Sequence, residues 1–206
     1  MNLSKKSTFP LFESICVQDG SIQNLKYHQE RFAKSFKKFY WEDPTYDLLQ
    51  NIEIPEAHKL GKVKLRVSYN KETTAFSFSK YSQRPIRTIK LIHDDLIDYD
   101  LKFEDRGPLD QLFEKREDCD DVLIIKNKQV TDCSYANIAF FDGIHWFTPK
   151  SYLLKGTKRT FLLDEGHIQE RVISTEDLNE FKGFQLINAM LDFNPSKYTN
   201  IAHIRF

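Results

Sequence analysis

The residues best suited to chemistry lie where a loop is predicted to become a helix, at Gly156-Thr157-Lys158-Arg159. A glycine and a threonine at such a junction leave backbone N–H groups available at the positive end of the helix dipole. That arrangement suits a phosphate group. Upstream, the turn TDCSYAN collects small and hydrogen-bonding residues between two predicted strands. The helix start therefore indicates a phosphate-bearing ligand.

The sequence contains two further sets of cationic residues, and their spacing alone does not decide their role. His28 and Arg31 are three residues apart and share a face near the start of a predicted helix. Lys62, Lys64 and Arg66 share the polar face of an alternating strand. Solvated surface charge is the interpretation that the spacing favours for both. An anion-binding cleft is the alternative for the strand.

The composition restricts the class of protein and the kind of site. The 206 residues include 30 basic and 30 acidic side chains, a balance that gives no support to nucleic-acid or membrane-surface binding. No apolar run approaches the roughly 20 residues that span a bilayer, and the N-terminus lacks an apolar segment of signal-peptide length. Three cysteines and six scattered histidines fit neither a disulfide framework nor a metal cage. We expect a soluble cytoplasmic protein with reduced thiols and no metal site.

Hydrophobic periodicity predicts the elements of a first lobe, residues 1–97. Apolar residues recur at helical spacing from Lys26 to Tyr40. Residues 62–68 and 74–81 alternate as a hairpin with one apolar and one polar face. A second short helix is expected at 45–52. We interpret this lobe as α+β, made of hairpins with one or two helices.

A polar joint opens the second lobe, residues 98–206. A helix is predicted at 108–115, where proline occupies the first turn. Three short strands are predicted within 122–147. The helix that begins at Thr157 is predicted to end at Gly166.

Seven motifs occur in order along the chain: FESI with the following DG, HQER, KLRVSY, LKFEDR, VTDCSYANI, TPKSYLLKGTKR and INAM. In that order and spacing they resemble the class IV aminotransferase (fold type IV) family of pyridoxal-phosphate enzymes, and within it the 4-amino-4-deoxychorismate lyase branch, in a short form. The resemblance covers almost the whole chain. It implies a two-lobed, D-amino acid aminotransferase-like fold, in which the second lobe is mixed and β-barrel-like with helices. It also implies pyridoxal 5'-phosphate as cofactor and, as is typical of the family, a homodimer.

Lys102, in LKFEDR, matches the Schiff-base lysine of the family and is the implied catalytic residue. This chemistry needs an amine that can lose its proton, condense with the cofactor aldehyde and later move protons. Desolvation and a nearby cation lower the pKa of a lysine, and Arg106, one turn along, is in position to contribute.

The resemblance assigns the cofactor phosphate to residues from several motifs. Arg31, in HQER, matches an arginine that grips the phosphate, and its planar fork suits bidentate contact. Thr157 and Lys158 match a pair whose backbone N–H groups complete the phosphate cup, with Gly156 allowing close approach. Asn188, at the head of INAM, occupies a position where relatives place a Thr or Asn that contacts the phosphate. A plain turn residue is the alternative for Asn188.

Asp132 and Asn137 match a pair of residues that lies beside the cofactor ring in the family. Relatives carry a glutamate five residues before the asparagine, and Asp132 stands in that position. The acid keeps the pyridine nitrogen protonated, which makes the ring an electron sink. Aspartate is one methylene shorter but chemically able. Asn137 is expected to order the loop or the ring rather than to react.

Arg66 and Arg106 are the implied substrate-binding residues. Arg66, in KLRVSY, matches an arginine that relatives point toward a substrate carboxylate. The spacing Lys102-x-x-x-Arg106 and the motif INAM favour the lyase branch over the branched-chain aminotransferases. Two features depart from the family: the chain begins almost at FESI, without the usual N-terminal strand, and Gly107 replaces a typical tyrosine.

The resemblance thus predicts an enzyme that converts 4-amino-4-deoxychorismate to 4-aminobenzoate and pyruvate, for folate synthesis. A class IV aminotransferase acting on D-amino or branched-chain acids is the alternative enzyme. A catalytically degenerate homologue that only binds the cofactor is a further alternative, motivated by Asp132 and the short N-terminus. The expected partner is a small amino substrate that carries a carboxylate, with no nucleic acid and no membrane.

Overall fold

The computed structural model describes residues 8–206 and shows an α+β protein whose strands form three sheets. The fold class expected from the sequence is confirmed. Predictions that concern residues 1–7, including the start of the first lobe and the nature of the N-terminal segment, lie outside the described residues. Within residues 8–206, no helix combines the length and the apolar character needed to cross a bilayer.

The chain forms two compact units and passes between them more than once. The first unit contains the described residues up to Ser82 together with Leu101–Arg106, and the second contains Gln83–Asp100 and Gly107–Phe206. This division differs from the one expected from the sequence, which placed a single boundary after residue 97. Lys102 accordingly belongs to the first unit, although the sequence placed it in the second lobe.

Backbone pairing explains the division. Strand β5 (Ile89–His93) runs parallel to β6 (Asp121–Lys126), which places it in the second unit. The amide of Phe12 donates to the carbonyl of Lys102 at 3.0 Å, and the amide of Glu104 donates to the carbonyl of Pro10 at 2.8 Å. These bonds tie Leu101–Arg106 to the first unit.

The first unit contains a four-stranded antiparallel sheet in the order β2-β1-β3-β4. Its strands are β1 (Leu11–Gln18), β2 (Ser21–Ile22), β3 (Lys62–Tyr69) and β4 (Thr74–Lys80). The alternation predicted for β3 is present, since Val63, Leu65 and Val67 are fully buried. The intervening cationic residues therefore lie on the opposite face of the strand.

Helix α1 (Leu25–Tyr40) supplies the other side of the first core. Phe32 and Phe36 are buried in the same apolar cluster as the inward residues of β1 and β3. The helix agrees with its prediction, but turns replace the helix expected at 45–52. There the Leu48 amide donates to Gln29 Oε1 at 3.2 Å, and the Leu48 side chain is fully buried. Packing against α1 thus overrides local helical preference.

The second unit is built on a four-stranded sheet in the order β13-β5-β6-β7 and a five-stranded sheet in the order β10-β9-β8-β11-β12. Its remaining strands are β7 (Gln129–Cys133), β8 (Asn137–Phe141), β9 (Trp146–Pro149), β10 (Gln169–Arg171), β11 (Gly183–Ile187), β12 (Thr199–Asn200) and β13 (Ile204–Arg205). Its helices are α2 (Gly107–Phe113) and α3 (Thr157–Asp164). Short 3-10 helices span Glu56–His58 in the first unit and Glu114–Arg116, Glu176–Glu180 and Ile201–His203 in the second.

One apolar core joins the two sheets of the second unit. Leu123 and Ile125 of β6 pack in the same cluster as Phe140 of β8 and Phe184 of β11. The β6–β7 connection is a two-residue loop, Asn127-Lys128, with positive φ at both positions, as tight hairpins of the primed type require. This hairpin, together with the pairing of β8 with β11, brings the TDCSYAN turn to the edge of the core.

Candidate active site

Lys102 lies on an irregular segment that runs along β1. Its carbonyl accepts from the Phe12 amide, and the neighbouring Phe103 forms a β-bridge with Leu11. Leu101, on its other side, is buried in the core of the first unit. The Lys102 Nζ atom lies 4.7 Å from the centre of the Phe12 ring. The backbone of Lys102 is therefore fixed on both sides, while its amine faces an aromatic ring.

The surroundings of Lys102 lower the pKa of its amine to about 7. Burial is the largest cause, even though the side chain keeps part of its surface accessible. The positive charge of Arg31 comes next, ahead of Arg106 and Arg66, while the negative charge of Glu13 acts in the opposite direction. Near neutral pH the amine is thus present both as the free base and as the ammonium. An amine that must attack a carbonyl and move protons needs both forms.

A fully buried carboxylate, Glu13, organises the charged groups around α1. Arg31 donates from Nε to Glu13 Oε1 at 2.7 Å and from Nη2 to Oε2 at 2.5 Å. His28 Nδ1 lies 2.8 Å from Glu13 Oε2. The contact with Arg31 is bidentate, so it fixes the plane of the guanidinium as well as its position. His28 and Glu13 are both fully buried, and the expectation of a solvated face is therefore wrong for His28.

The pKa values of the two partners follow from this geometry. Burial disfavours the charged form of Glu13, but the charge of Arg31 and the hydrogen bonds from His28 and Arg31 outweigh it and lower the pKa of Glu13 to about 2. Burial lowers the pKa of His28, and the hydrogen bond with Glu13 only partly offsets this effect. Glu13 is therefore the counter-charge of Arg31, and His28 is a neutral partner at pH 7.

Arg66 is held by two neighbours in the first unit. Its Nη2 donates to Glu104 Oε2, and Ser68 Oγ donates to Glu104 Oε1. The Arg66 guanidinium carbon lies 3.6 Å from the centre of the Phe12 ring, in stacking contact. Arg66 is thus an ion-paired and stacked residue rather than a solvated edge charge, although about a third of its side chain (33%) remains exposed.

In the second unit, Asp132 of β7 is buried and receives three N–H groups. Asn137 Nδ2 donates to its Oδ1 at 2.7 Å, while the amides of Leu153 and Leu154 donate to its Oδ2 at 3.0 and 2.9 Å. Burial raises the pKa of Asp132 to about 6, and these three donors limit the rise. A carboxylate has about four lone-pair sites, so a fourth donor can still be accepted.

Gly156 lies directly against the Asn137 side chain. A Cβ added to Gly156 would lie 1.8 Å from Asn137 Oδ1. That side chain has no freedom to retreat, because its Nδ2 donates to both Asp132 and the Leu154 carbonyl. The backbone φ of Gly156 is an ordinary −69°. Glycine is therefore required here by the close approach of a protein side chain and not by conformation.

Helix α3 begins at the predicted phosphate-binding motif. Gly156 is its N-cap, and the Gly156 carbonyl accepts from the Thr160 amide at 3.0 Å. Thr157 is buried, and Lys158 places its Nζ 5.0 Å from the Phe161 ring. Arg159, also buried, donates to the Pro149 carbonyl and to Glu170, and so anchors the first turn to β9 and β10.

Asn188 closes a turn immediately after β11. Its Oδ1 accepts from the amides of Met190 and Leu191 at 2.9 and 3.1 Å, and its Nδ2 donates to the Tyr135 carbonyl at 3.4 Å. Tyr135 belongs to the TDCSYAN turn. These contacts give Asn188 a turn-forming role, and they also join the INAM motif to the turn that follows Asp132.

The structure groups the predicted site residues by unit. In the first unit Arg31, Arg66 and Arg106 all act electrostatically on Lys102. In the second, contacts join Asp132 to Asn137 and Asn137 to Gly156, and Asn188 reaches the same turn. Among residues 8–206, no three His, Cys, Asp or Glu side chains are grouped as metal ligands.

Two residues of the first unit escaped the sequence analysis. Glu13 was visible only as a single acid inside the apolar segment FESICV, and an acid that remains in such a strand needs a buried partner. Glu104 lies two residues after Lys102 in a polar segment, where nothing in the sequence distinguishes it from a solvated residue.

Comparison of the sequence with known proteins gives two matches. The profile of the family "Amino-transferase class IV" matches residues 109–197. An uncharacterised protein of Haemophilus influenzae is 40% identical over 184 residues, which cover 88% of this chain and 98% of the relative.

Solved structures show the same likeness. A Haemophilus somnus protein, described as "a putative 4-amino-4-deoxychorismate lyase", is 39% identical with a TM-score of 0.85, over 90% of this chain and 98% of its own. A hypothetical aminotransferase of Mycobacterium tuberculosis in its PLP-bound form is 15% identical with a TM-score of 0.66, over 88% of this chain and 78% of its own. The second likeness is one of fold alone.

Replacing Glu13 with glutamine should reduce stability, because Arg31 would lose a buried counter-charge. We expect Glu13→Gln to lower the free energy of unfolding at pH 7 by about 2–4 kcal/mol. The pKa of Glu13 is about 2 in the folded protein against an ordinary 4.5, so its stabilising contribution is complete above pH 4.5 and is lost as the pH falls toward 2.

Urea unfolding over a range of pH measures this effect, and the gap between wild type and Glu13→Gln should close in acid. Glu72→Gln, at an exposed glutamate of the same unit, is the matched control and should not change the curve. Equal stability of wild type and Glu13→Gln at pH 7 would contradict the role of Glu13 as the buried counter-charge of Arg31.

Gly156→Ala should destabilise the second unit by about 1–3 kcal/mol, because the new methyl group overlaps Asn137 Oδ1. If the Asn137 side chain is removed first, the same change should destabilise the protein less. In an Asn137→Ala background, the cost of Gly156→Ala is expected to fall by about 1 kcal/mol or more. Urea unfolding of the four proteins of this cycle gives the coupling, and strictly additive costs would show that the two residues do not collide.

Proposed function

The chain belongs to the class IV aminotransferase family, whose members are pyridoxal-phosphate-dependent enzymes, and we propose that it acts as a 4-amino-4-deoxychorismate lyase. The proposed reaction converts 4-amino-4-deoxychorismate to 4-aminobenzoate and pyruvate. The 39% identity to the Haemophilus somnus protein, over 98% of that protein, supports the lyase branch.

The observation that carries the proposal is the amine of Lys102, with its pKa lowered to about 7. The elimination removes a proton from the ring carbon that bears the amino group and breaks the C–O bond of the neighbouring carbon. The released enol takes up a proton and becomes pyruvate, while the ring becomes aromatic. A base that accepts the first proton and an acid that supplies the second are both required, and one amine with a pKa near 7 serves as both.

Pyridoxal phosphate, when bound, supplies the electron sink and an aldehyde that condenses with an amine. The proposed cofactor residues in the first unit are Lys102 for the covalent link and Arg31 for the phosphate. Glu13 supports this role because it fixes the Arg31 guanidinium in one plane. The fixed orientation of Arg31 limits the entropic cost of binding an anion, while the charge of Glu13 reduces the attraction.

The proposed cofactor residues in the second unit are Asp132 for the ring nitrogen, Asn137 as its support, and four residues near the phosphate: Gly156, Thr157, Lys158 and Asn188. The raised pKa of Asp132, about 6, still leaves its carboxylate mostly ionised at pH 7, and one acceptor site remains beside its three donors. The start of α3 at Gly156–Lys158 supports phosphate binding through its backbone N–H groups. Asn188 supports it less directly, because its side chain closes a turn.

The family suggests three further properties, which are part of the proposal: a homodimer, a cytoplasmic location and a role in folate synthesis. Arg66 and Arg106 are the proposed contacts for the substrate carboxylate. A partly exposed guanidinium stacked on Phe12, in the same region as the amine of Lys102, supports this role for Arg66.

Borohydride reduction tests the assignment of Lys102. Purified protein incubated with pyridoxal 5'-phosphate should show a visible absorbance band that borohydride abolishes, and peptide mapping should locate the reduced adduct at Lys102. Lys102→Ala should lose the band, whereas Lys80→Ala, at an exposed lysine of β4, should keep it. An adduct on any other lysine would overturn the assignment.

Product analysis tests the reaction itself. With 4-amino-4-deoxychorismate alone, the enzyme should release 4-aminobenzoate and pyruvate in equal amounts, and Lys102→Ala should reduce the rate by several orders of magnitude. Dependence on an added keto acid such as α-ketoglutarate, with formation of the matching amino acid, would establish an aminotransferase instead. Cofactor binding without turnover of either kind would establish the degenerate homologue.

A further inference from the structure

Glu104 compensates the charge of Arg66, which the proposed function assigns to the substrate carboxylate and which stacks on Phe12. Both oxygens of Glu104 are engaged, Oε2 by Arg66 Nη2 and Oε1 by Ser68 Oγ. The backbone of Glu104 is fixed as well, because its amide donates to the Pro10 carbonyl at 2.8 Å. The carboxylate is therefore placed on Arg66 by three separate contacts and is not a mobile surface charge.

The Arg66–Glu104 pair lies next to the reactive amine. The Arg66 guanidinium carbon and Lys102 Nζ lie 3.6 and 4.7 Å from the centre of the same Phe12 ring. Arg66 also contributes to the lowered pKa of Lys102. A molecule attached or bound at Lys102 thus lies within reach of Arg66, and an acid on that molecule meets Arg66 and Glu104 together.

The charge of this pair controls how strongly it attracts an acid. A lone guanidinium that is two-thirds shielded from water binds a carboxylate strongly, since Coulomb energies grow as the effective dielectric constant falls. With Glu104 in contact, the pair is neutral, and a second carboxylate must either share the guanidinium or displace Glu104 from it. Each course weakens binding. Such weakening favours an enzyme that must release an aromatic acid after every turnover.

We propose that Glu104 is a specificity-determining residue, which compensates the charge of Arg66 and so keeps binding of carboxylate ligands at this subsite weak and readily reversible. The inference rests on the proposed role of Arg66. It concerns carboxylates as a chemical class, so it does not depend on the identity of the reaction.

The test measures binding of a simple aromatic acid to the holoenzyme. Benzoate is the charged probe, and benzamide, of the same shape without charge, is its neutral counterpart. Glu104→Gln keeps the size of the side chain and removes its charge. Calorimetric titration should show benzoate binding roughly tenfold or more tighter in Glu104→Gln than in wild type, as expected for loss of one nearby negative charge. Benzamide binding should be unchanged.

Two variants separate charge from packing. Glu104→Asp restores the charge and should return benzoate affinity toward that of wild type. Ser68→Ala removes a hydroxyl that holds Glu104 but leaves both charges, so its effect should be much smaller than that of Glu104→Gln. In an Arg66→Gln background, Glu104→Gln should give no tightening.

Three results would overturn the inference. They are unchanged benzoate affinity in Glu104→Gln, an equal change for benzamide, and no benzoate binding to either holoenzyme. The reaction assay is independent of these outcomes. If benzoate tightens as expected but no 4-aminobenzoate is formed from 4-amino-4-deoxychorismate, the lyase proposal fails and the carboxylate subsite stands.

Discussion

The buried ion pair between Glu13 and Arg31 is the interaction on which the charged part of the first unit depends. It joins β1 to α1 through a carboxylate that has no exposed surface. The two charges of the pair act on Lys102 in opposite directions. Arg31 lowers the pKa of Lys102, and Glu13 raises it. Burial, the largest cause, lowers the pKa of Lys102 further, to about 7. The same desolvation that makes an unpaired charge costly in a protein core thus brings the pKa of this amine near neutral pH.

Local patterning was enough to predict the elements that carry the site. The strict alternation of KVKLRVS gave β3, the helical recurrence of Phe32 and Phe36 gave α1, and the Gly-Thr junction gave the start of α3. The chain order of the strands was not enough to predict the units. Ile89–His93 joins the second unit through parallel pairing with Asp121–Lys126, a long-range contact that leaves no local mark in the sequence.

Long-range contacts of the candidate site residues were likewise not predictable from the sequence. Motif resemblance pointed to Lys102, Arg31 and Asp132 by position, but it did not reveal which groups neutralise them. Glu104 meets Arg66 across 38 residues of sequence, and only the tertiary fold makes them neighbours. The resemblance explained Gly156 only by close approach of the phosphate, which stays a prediction. Its missing side chain makes room for Asn137, a protein group 19 residues earlier, in addition to any approach of a ligand.

The interleaving of the two units along the chain has a consequence for synthesis on the ribosome. The first unit buries Leu101 in its core and takes Lys102 from the same short segment, which emerges only after Gln83–Asp100 has been made. Until then, β1, β3 and α1 lack a core residue and Phe12 lacks its backbone acceptor. Strand β5, already outside the tunnel, must in turn wait for β6 before its edge is paired. The nascent chain therefore carries an unpaired strand through the interval in which Lys102 takes its place in the first unit.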